Sequence, residues 1–418
     1  MNAEKYRIMH YFVMCYLPAQ LTFYEIADTA RTNIVKGCLA DEIHFYSLLA
    51  AATARMKHVT KDAFSRPDLP EYFASRAVSL MRQHLLRGKA ITQQIILDMF
   101  LLATAESYSQ NWPGVFMHRT AFKHSVAALG GFSKLDPSIC KMLWRGDLFV
   151  AAVTYTQPIL ELCWDPGPLD SQASMCLKLL SSGNSPLMGA GFREDLKNSS
   201  NEALLNILED VIGFAGTMQY FWSDFTEVPW DRDWIWARSS ALVHKLLSLE
   251  EISTTPASSP TSETQLDWLV EECTRLAVVI WLYFGFFLLG RDPPQRETLR
   301  VVVRNSIDFS LIQKRLIRIM KLGNFVSIGV EMDDSQELTL PRYLMLVLWI
   351  LGLGVLAAVN KEEVLWLSRH FTLISRRVGT NTYEEFEEKV SSRYLWLRLL
   401  EEASGRQLTK LYDRGNQE

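Results

Sequence analysis

Apolar residues recur along most of this chain at intervals of three and four, the spacing that lines one face of an α-helix. A first run starts near residue 5 and ends near Pro18. A second covers Asp41 to Met56, where Ala50, Ala51, Ala52 and Ala54 allow a close helix contact. Pro70 and Glu71 suit a first turn, followed on one face by Phe73, Ala77, Leu80, Met81 and Leu85 and stopped at Gly88, a residue that tolerates the left-handed cap position. Thr92 is placed to cap a helix bearing Ile96, Met99, Phe100 and Ala103. Asn111-Trp112-Pro113-Gly114 precedes a helix with Phe122, Val126 and Leu129 on one face, ended by Gly130-Gly131. Asp136 before Pro137 reads as an N-cap and a first helical position, and that helix runs towards Tyr155.

Pro158 and the turn Trp164–Pro168 interrupt the pattern, and the polar stretch 182–201 predicts an exposed connection. Helices are expected over 202–221 and 232–250. Residues 253–262 contain only Ser, Thr, Pro and Ala, the composition of a disordered loop. Ser262 and Gln265 form a candidate capping box ahead of Leu266, Leu269, Cys273, Leu276 and Ile280. A basic amphipathic helix is expected over 294–321, with Arg296, Arg300, Arg304, Lys314, Arg315, Arg318 and Lys321 on its wet side and Val302, Ile307, Phe309, Ile312 and Leu316 on its dry side. Two or three helices follow between Arg342 and Leu411. No strict alternation is long enough for a sheet. The predicted fold class is therefore all-α, a large multi-helix domain over residues 1–418, with two lobes, 1–250 and 263–418, as the alternative division.

Composition changes this picture little. The chain has 418 residues, 48% of them hydrophobic, which is ample for a large core. Its 43 basic and 47 acidic side chains leave a formal charge of -4, so no electrostatic footprint for DNA or RNA is present. Cys15, Cys38, Cys140, Cys163, Cys176 and Cys273 form no CxxC pair and read as reduced core residues. Glu4, Lys5, Arg7 and His10 interrupt the N-terminus before the apolar run Tyr11–Leu17, unlike a signal peptide. Tyr343–Val359 is uncharged over seventeen residues, at the short edge of a membrane span, and reads better as a buried central helix.

Candidate chemistry is sparse. The chain has no GxGxxG opening a helix, no phosphate-cradling GxxxxGK(S/T), no HExxH and no GxSxG. His44 lies near Asp41, and Glu331, Asp333 and Asp334 form an acidic group without a calcium-loop pattern. Aromatic and acidic residues interleave from Tyr220 to Trp236. Such a stretch suits partner binding, but inward packing of its tryptophans accounts for it more simply, with Arg232 and Arg238 available to the local acids. Arg145 with Asp147 is a charge pair on an apolar helix, able to line a cavity or to tie helix ends together. No catalytic, cofactor-binding or metal-ligating set emerges, and no cofactor is expected.

Several blocks together resemble the fungal-specific transcription factor domain, the regulatory region found downstream of Zn2Cys6 clusters. They are Ile8–Tyr11 with Asp41–Arg55, then Tyr72–Leu86, Leu101–Gly131 ending Ala-Leu-Gly-Gly, and Tyr343–Phe371. The six-cysteine cluster that usually accompanies this domain has no counterpart here. The resemblance implies an all-helical fold, a nuclear location and a role in controlling transcription without direct DNA contact. It also implies a protein partner or homodimer, or a small apolar metabolite as effector, and no membrane. The alternative is an enzyme of secondary metabolism on the same scaffold, acting on a polyketide- or terpenoid-like intermediate, with His118, Arg145, Asp147 and Arg238 as candidate groups.

Overall fold

The computed structural model describes residues 3–16, 36–37, 40–168, 188–197, 199, 201–222, 232–249, 262–289, 310–322, 341–358, 360–391, 393–396, 400–401 and 406–415. Every regular element among them is helical. The chain forms two compact units. The first takes in Met1–Ala151 and Pro158–Cys163. The second takes in Ala152–Gln157 and most of the chain from Trp164 onward, including the helices on both sides of the Ser/Thr/Pro stretch 253–262. Apart from Ser262, that stretch lies outside the described residues, as does the first part of the basic run, 294–309.

In the first unit, α1 (Ala3–Tyr11) continues into a wide turn, Phe12–Tyr16, and the chain then resumes in α2 (Glu42–Arg55). Asp41 starts α2 by accepting the amides of Ile43 and His44 at 2.7 and 3.1 Å. Leu48, Leu49, Ala50, Ala51, Ala52 and Ala54 are fully buried, so this helix is apolar on nearly all sides, as expected of one surrounded by others. It packs on α1, on α3 (Leu69–Leu86) and on α4 (Gln93–Tyr108). Thr92 caps α4 through the Ile95 amide. Asn111 opens α5 (Trp112–Leu129), and Gly130, at φ 102°, closes it. Asp136 accepts the Ser138 amide at 2.8 Å and opens α6 (Pro137–Thr154).

A polar cluster crosses the apolar α2–α4 interface, where the Gln94 side-chain amide lies 2.6 Å from His44 Nδ1. His44 Nδ1 donates to Asp98 Oδ1 at 2.5 Å, with both side chains buried. Asp41, the nearer acid in sequence, is occupied with the start of α2. Burial raises the Asp98 pKa, and the His44 bond only partly opposes it.

The second unit is built on α12 (Leu344–Ala357), whose residues from Leu346 to Ala357 are all buried. Around it lie α7 (Ala190–Asp195), α10 (Ser262–Leu289), α13 (Lys361–Val378) and α15 (Gln407–Gly415). Further helices among the described residues of this unit are α8 (Glu202–Trp222), α9 (Arg232–Ser248), α11 (Ser310–Leu322) and α14 (Tyr383–Ser391). Fourteen residues at 1.5 Å each make α12 about 21 Å long, short of a ~30 Å hydrocarbon core. No helix among the described residues is long and apolar enough to cross a membrane.

Two expectations change here. The stretch 182–201 is not uniformly exposed: α7 lies within it and buries Gly191 and Phe192. Phe192 sets its ring edge-on to Trp349 and Tyr394, at 5.1 and 5.3 Å. One aromatic anchor in six residues creates no periodicity, so the polar composition misled. Among the described residues four helices rather than two or three follow Arg342, because two of them, α14 and α15, are only nine residues long, α14 held by Tyr383, Phe386 and Val390 and α15 by Leu408. Trp234 and Trp236 on α9 are buried, as inward packing of that region requires.

Candidate functional site

The basic helix divides its cations between two environments. Arg315 turns inward. Its Nη2 donates to Glu272 Oε1 at 3.2 Å, and Tyr155 Oη donates to the same oxygen at 2.6 Å. Lys314, Arg318 and Lys321 stand at i, i+4 and i+7, so they share one exposed face of α11, while Ile312, Leu316 and Met320 are buried.

That exposed face forms one wall of an open groove of about 680 Å³. The first turns of α13 form the other wall. Asn360 accepts the Glu362 amide at 2.9 Å and so fixes where α13 begins. Glu362 and Glu363 follow in the first turn, where the helix dipole favours acidic groups. One turn further on, Trp366 lines the groove, with Lys321 Nζ 5.6 Å from its ring centre. His370 packs against that ring at 4.1 Å. Its pKa is lowered by burial, opposed by its bond to the Trp366 carbonyl and assisted by the charges of Arg369 and Lys321. The groove thus offers three exposed cations, one aromatic ring and an apolar floor at Ile317. This equipment suits reversible binding of an anionic partner surface. Its charge is partly offset by Glu362 and Glu363 on the opposite wall, which favours selectivity over indiscriminate binding of polyanions.

The groups considered for catalysis are engaged elsewhere. Asp147 is paired with Arg119 rather than Arg145, and both partners are buried. The other Asp147 oxygen accepts the amides of Ile159 and Leu160 at 2.9 and 3.0 Å. Arg145 is half-buried on the same helix. His118 is buried on α5, and burial lowers its pKa. Arg238, in the second unit, pairs with Asp165 at 2.8 Å and Asp210 at 2.7 Å, while the side chains of the acids over 224–233 lie outside the described residues. Lys245 binds the same two carboxylates, so this is a balanced ion cluster that ties the 164–168 turn to α9.

Among the described residues no three His, Cys, Asp or Glu side chains gather in a way that would hold a metal ion. The cysteines are less uniformly internal than expected. Cys273 is buried, Cys140 half-buried, and Cys15 and Cys163 are exposed free thiols. Cys38, Cys176 and the acidic group 331–334 lie outside the described residues. Sequence reasoning found the cations of the groove but not Trp366, whose place beside Lys321 depends on how α13 docks against α11. No family model, curated protein or solved structure matches this chain.

Proposed function

We propose that this chain is a regulatory module that acts in transcription by binding, in the manner of the fungal-specific transcription factor domain that its sequence blocks resemble. The groove between α11 and α13 is its contact surface for a partner protein. The observation that carries this reading is the set of Lys314, Arg318 and Lys321, exposed on one helix, and the half-buried Trp366 on another, all lining one groove. An all-helical fold is in keeping with the resemblance, which implies one. The module needs no DNA reader of its own if it is recruited through a partner, and its near-neutral charge agrees with that.

The test is a tethering assay in fungal cells. The chain is fused to an unrelated DNA-binding domain upstream of a reporter gene. Reporter output should change relative to the DNA-binding domain alone, and the triple variant K314E/R318E/K321E, expressed at the same level, should return it to that baseline. Unchanged output from the wild-type fusion would overturn the reading. An altered output that the triple variant retains would remove the groove from it.

A further inference from the structure

A second feature, in the first unit, does not depend on the transcriptional reading. Arg55 closes α2 with only 4% of its surface exposed. A buried guanidinium ordinarily faces a carboxylate, because an uncompensated charge in the interior is costly. Arg55 faces phenols instead. Its hydrogen bond goes from Nη1 to Tyr11 Oη at 2.6 Å. The rings of Tyr11 and Tyr16 lie 5.9 and 5.8 Å from its guanidinium carbon. Tyr108 stands edge-on to Tyr16 at 6.5 Å, and Phe12 stacks on Tyr16 at 5.2 Å. No acidic side chain among the described residues pairs with Arg55. A guanidinium carries five N–H donors in a planar fork, and one of them is used here.

We propose that Arg55 is the recognition centre of a binding site for a small aromatic or apolar carboxylate, whose two coplanar oxygens take the unused edge of the guanidinium while its body lies against Tyr11, Phe12, Tyr16 and Tyr108. The fork matches a carboxylate in a bidentate manner, a geometry that lysine cannot reproduce. Aromatic walls exclude water and strengthen the ion pair. Two aromatic rings beside one cation, with Phe12 and Tyr108 packed on the second of them, form a surface suited to an amphiphilic acid rather than to a bare inorganic ion.

Sodium benzoate is the probe and benzamide its neutral counterpart, each titrated at fixed ionic strength by calorimetry. In parallel the side-chain Nε–H resonance of Arg55 is followed by NMR on the wild-type protein. Benzoate should bind saturably and move that resonance, and benzamide should do neither. Arg55→Lys keeps the charge and loses the fork, so affinity should fall roughly tenfold or more. Arg55→Gln should abolish binding where it folds. Four results would overturn the proposal: no saturable binding of benzoate, equal binding of benzamide, inorganic phosphate binding as tightly as benzoate, or a wild-type complex that leaves the Arg55 resonance in place. The first would leave the tyrosine ring faces as the whole counter-environment of the cation.

Discussion

Arg119 directs both Nε and Nη2 at a single oxygen of Asp147, and so leaves the second oxygen to two backbone amides, those of Ile159 and Leu160. The carboxylate therefore joins α5, α6 and the segment after Pro158 at one buried point. Breaking such a pair from one side strands a charge in the interior, at a cost of about 3–5 kcal/mol. Asp147→Leu should lose at least that much stability in urea unfolding, since it also strands the amides. The double variant R119M/D147N should recover most of the loss, because asparagine still accepts an amide while no charge remains. If D147L unfolds within about 1 kcal/mol of the wild type, the pair is not the anchor described.

Gly191 is the second point where the fold has no slack. Its amide donates to the Arg393 carbonyl at 2.6 Å, and a Cβ there would sit 2.8 Å from that same oxygen. Backbone cannot swing aside as a long side chain does. Gly191→Ala should cost about 1–3 kcal/mol through overpacking and weaken the edge-on packing of Phe192 on Trp349. Differential scanning calorimetry should show the drop in Tm, and near-ultraviolet dichroism should show the loosened aromatic packing. An unaltered Tm would refute the close approach.

Asp98 should make stability depend on pH with a definite sign. Burial raises its pKa in the folded state above the ordinary carboxylate value, so the folded protein holds this proton more tightly than the unfolded chain does. Its contribution is fully present below the unfolded pKa and is lost as pH rises through the raised folded value. Asp98→Asn keeps an acceptor for His44 and removes the titration. Urea midpoints measured from about pH 4 to 7 should therefore fall less steeply in D98N than in the wild type. Parallel curves would assign the slope to other groups.

Asn360 sets the start of α13 and thereby the position of the wall that carries Trp366. Replacing an N-cap asparagine by alanine costs about 1 kcal/mol, while aspartate at the same place preserves the bond. N360A should thus unfold earlier than N360D, which should match the wild type. Trp366 fluorescence should shift in N360A alone if the cap positions that wall.

What could be read from sequence was whatever lies close together in it. Thr92 and Asp136 sit one residue before the turns that they cap, and the wet and dry sides of α11 follow from residue spacing. Pairings across helices could not be read. Asp147 lies two residues from Arg145 but bonds to Arg119, 28 residues away, because a residue two places along points to a different side of the helix. His44 likewise takes Asp98, 54 residues distant, over nearby Asp41. The groove shares this origin, since Lys321 and Trp366 become neighbours only when α11 and α13 pack. Within α7 the informative residue was Phe192, whose partners Trp349 and Tyr394 come from distant parts of the chain.

The burial of α12 bears on how the chain is made. A helix apolar around its whole circumference has no solvent side to wait on, yet on the ribosome it emerges before α13 and α15, two of the helices that cover it. During that interval Leu346 to Ala357 would be sticky, and any ribosome stall or premature stop just past Asn360 would leave them so. Nascent chains of this protein should depend on chaperones at that point of synthesis more than at any earlier one, and a chain cut there should be cleared by the cell rather than persist as a shorter working domain.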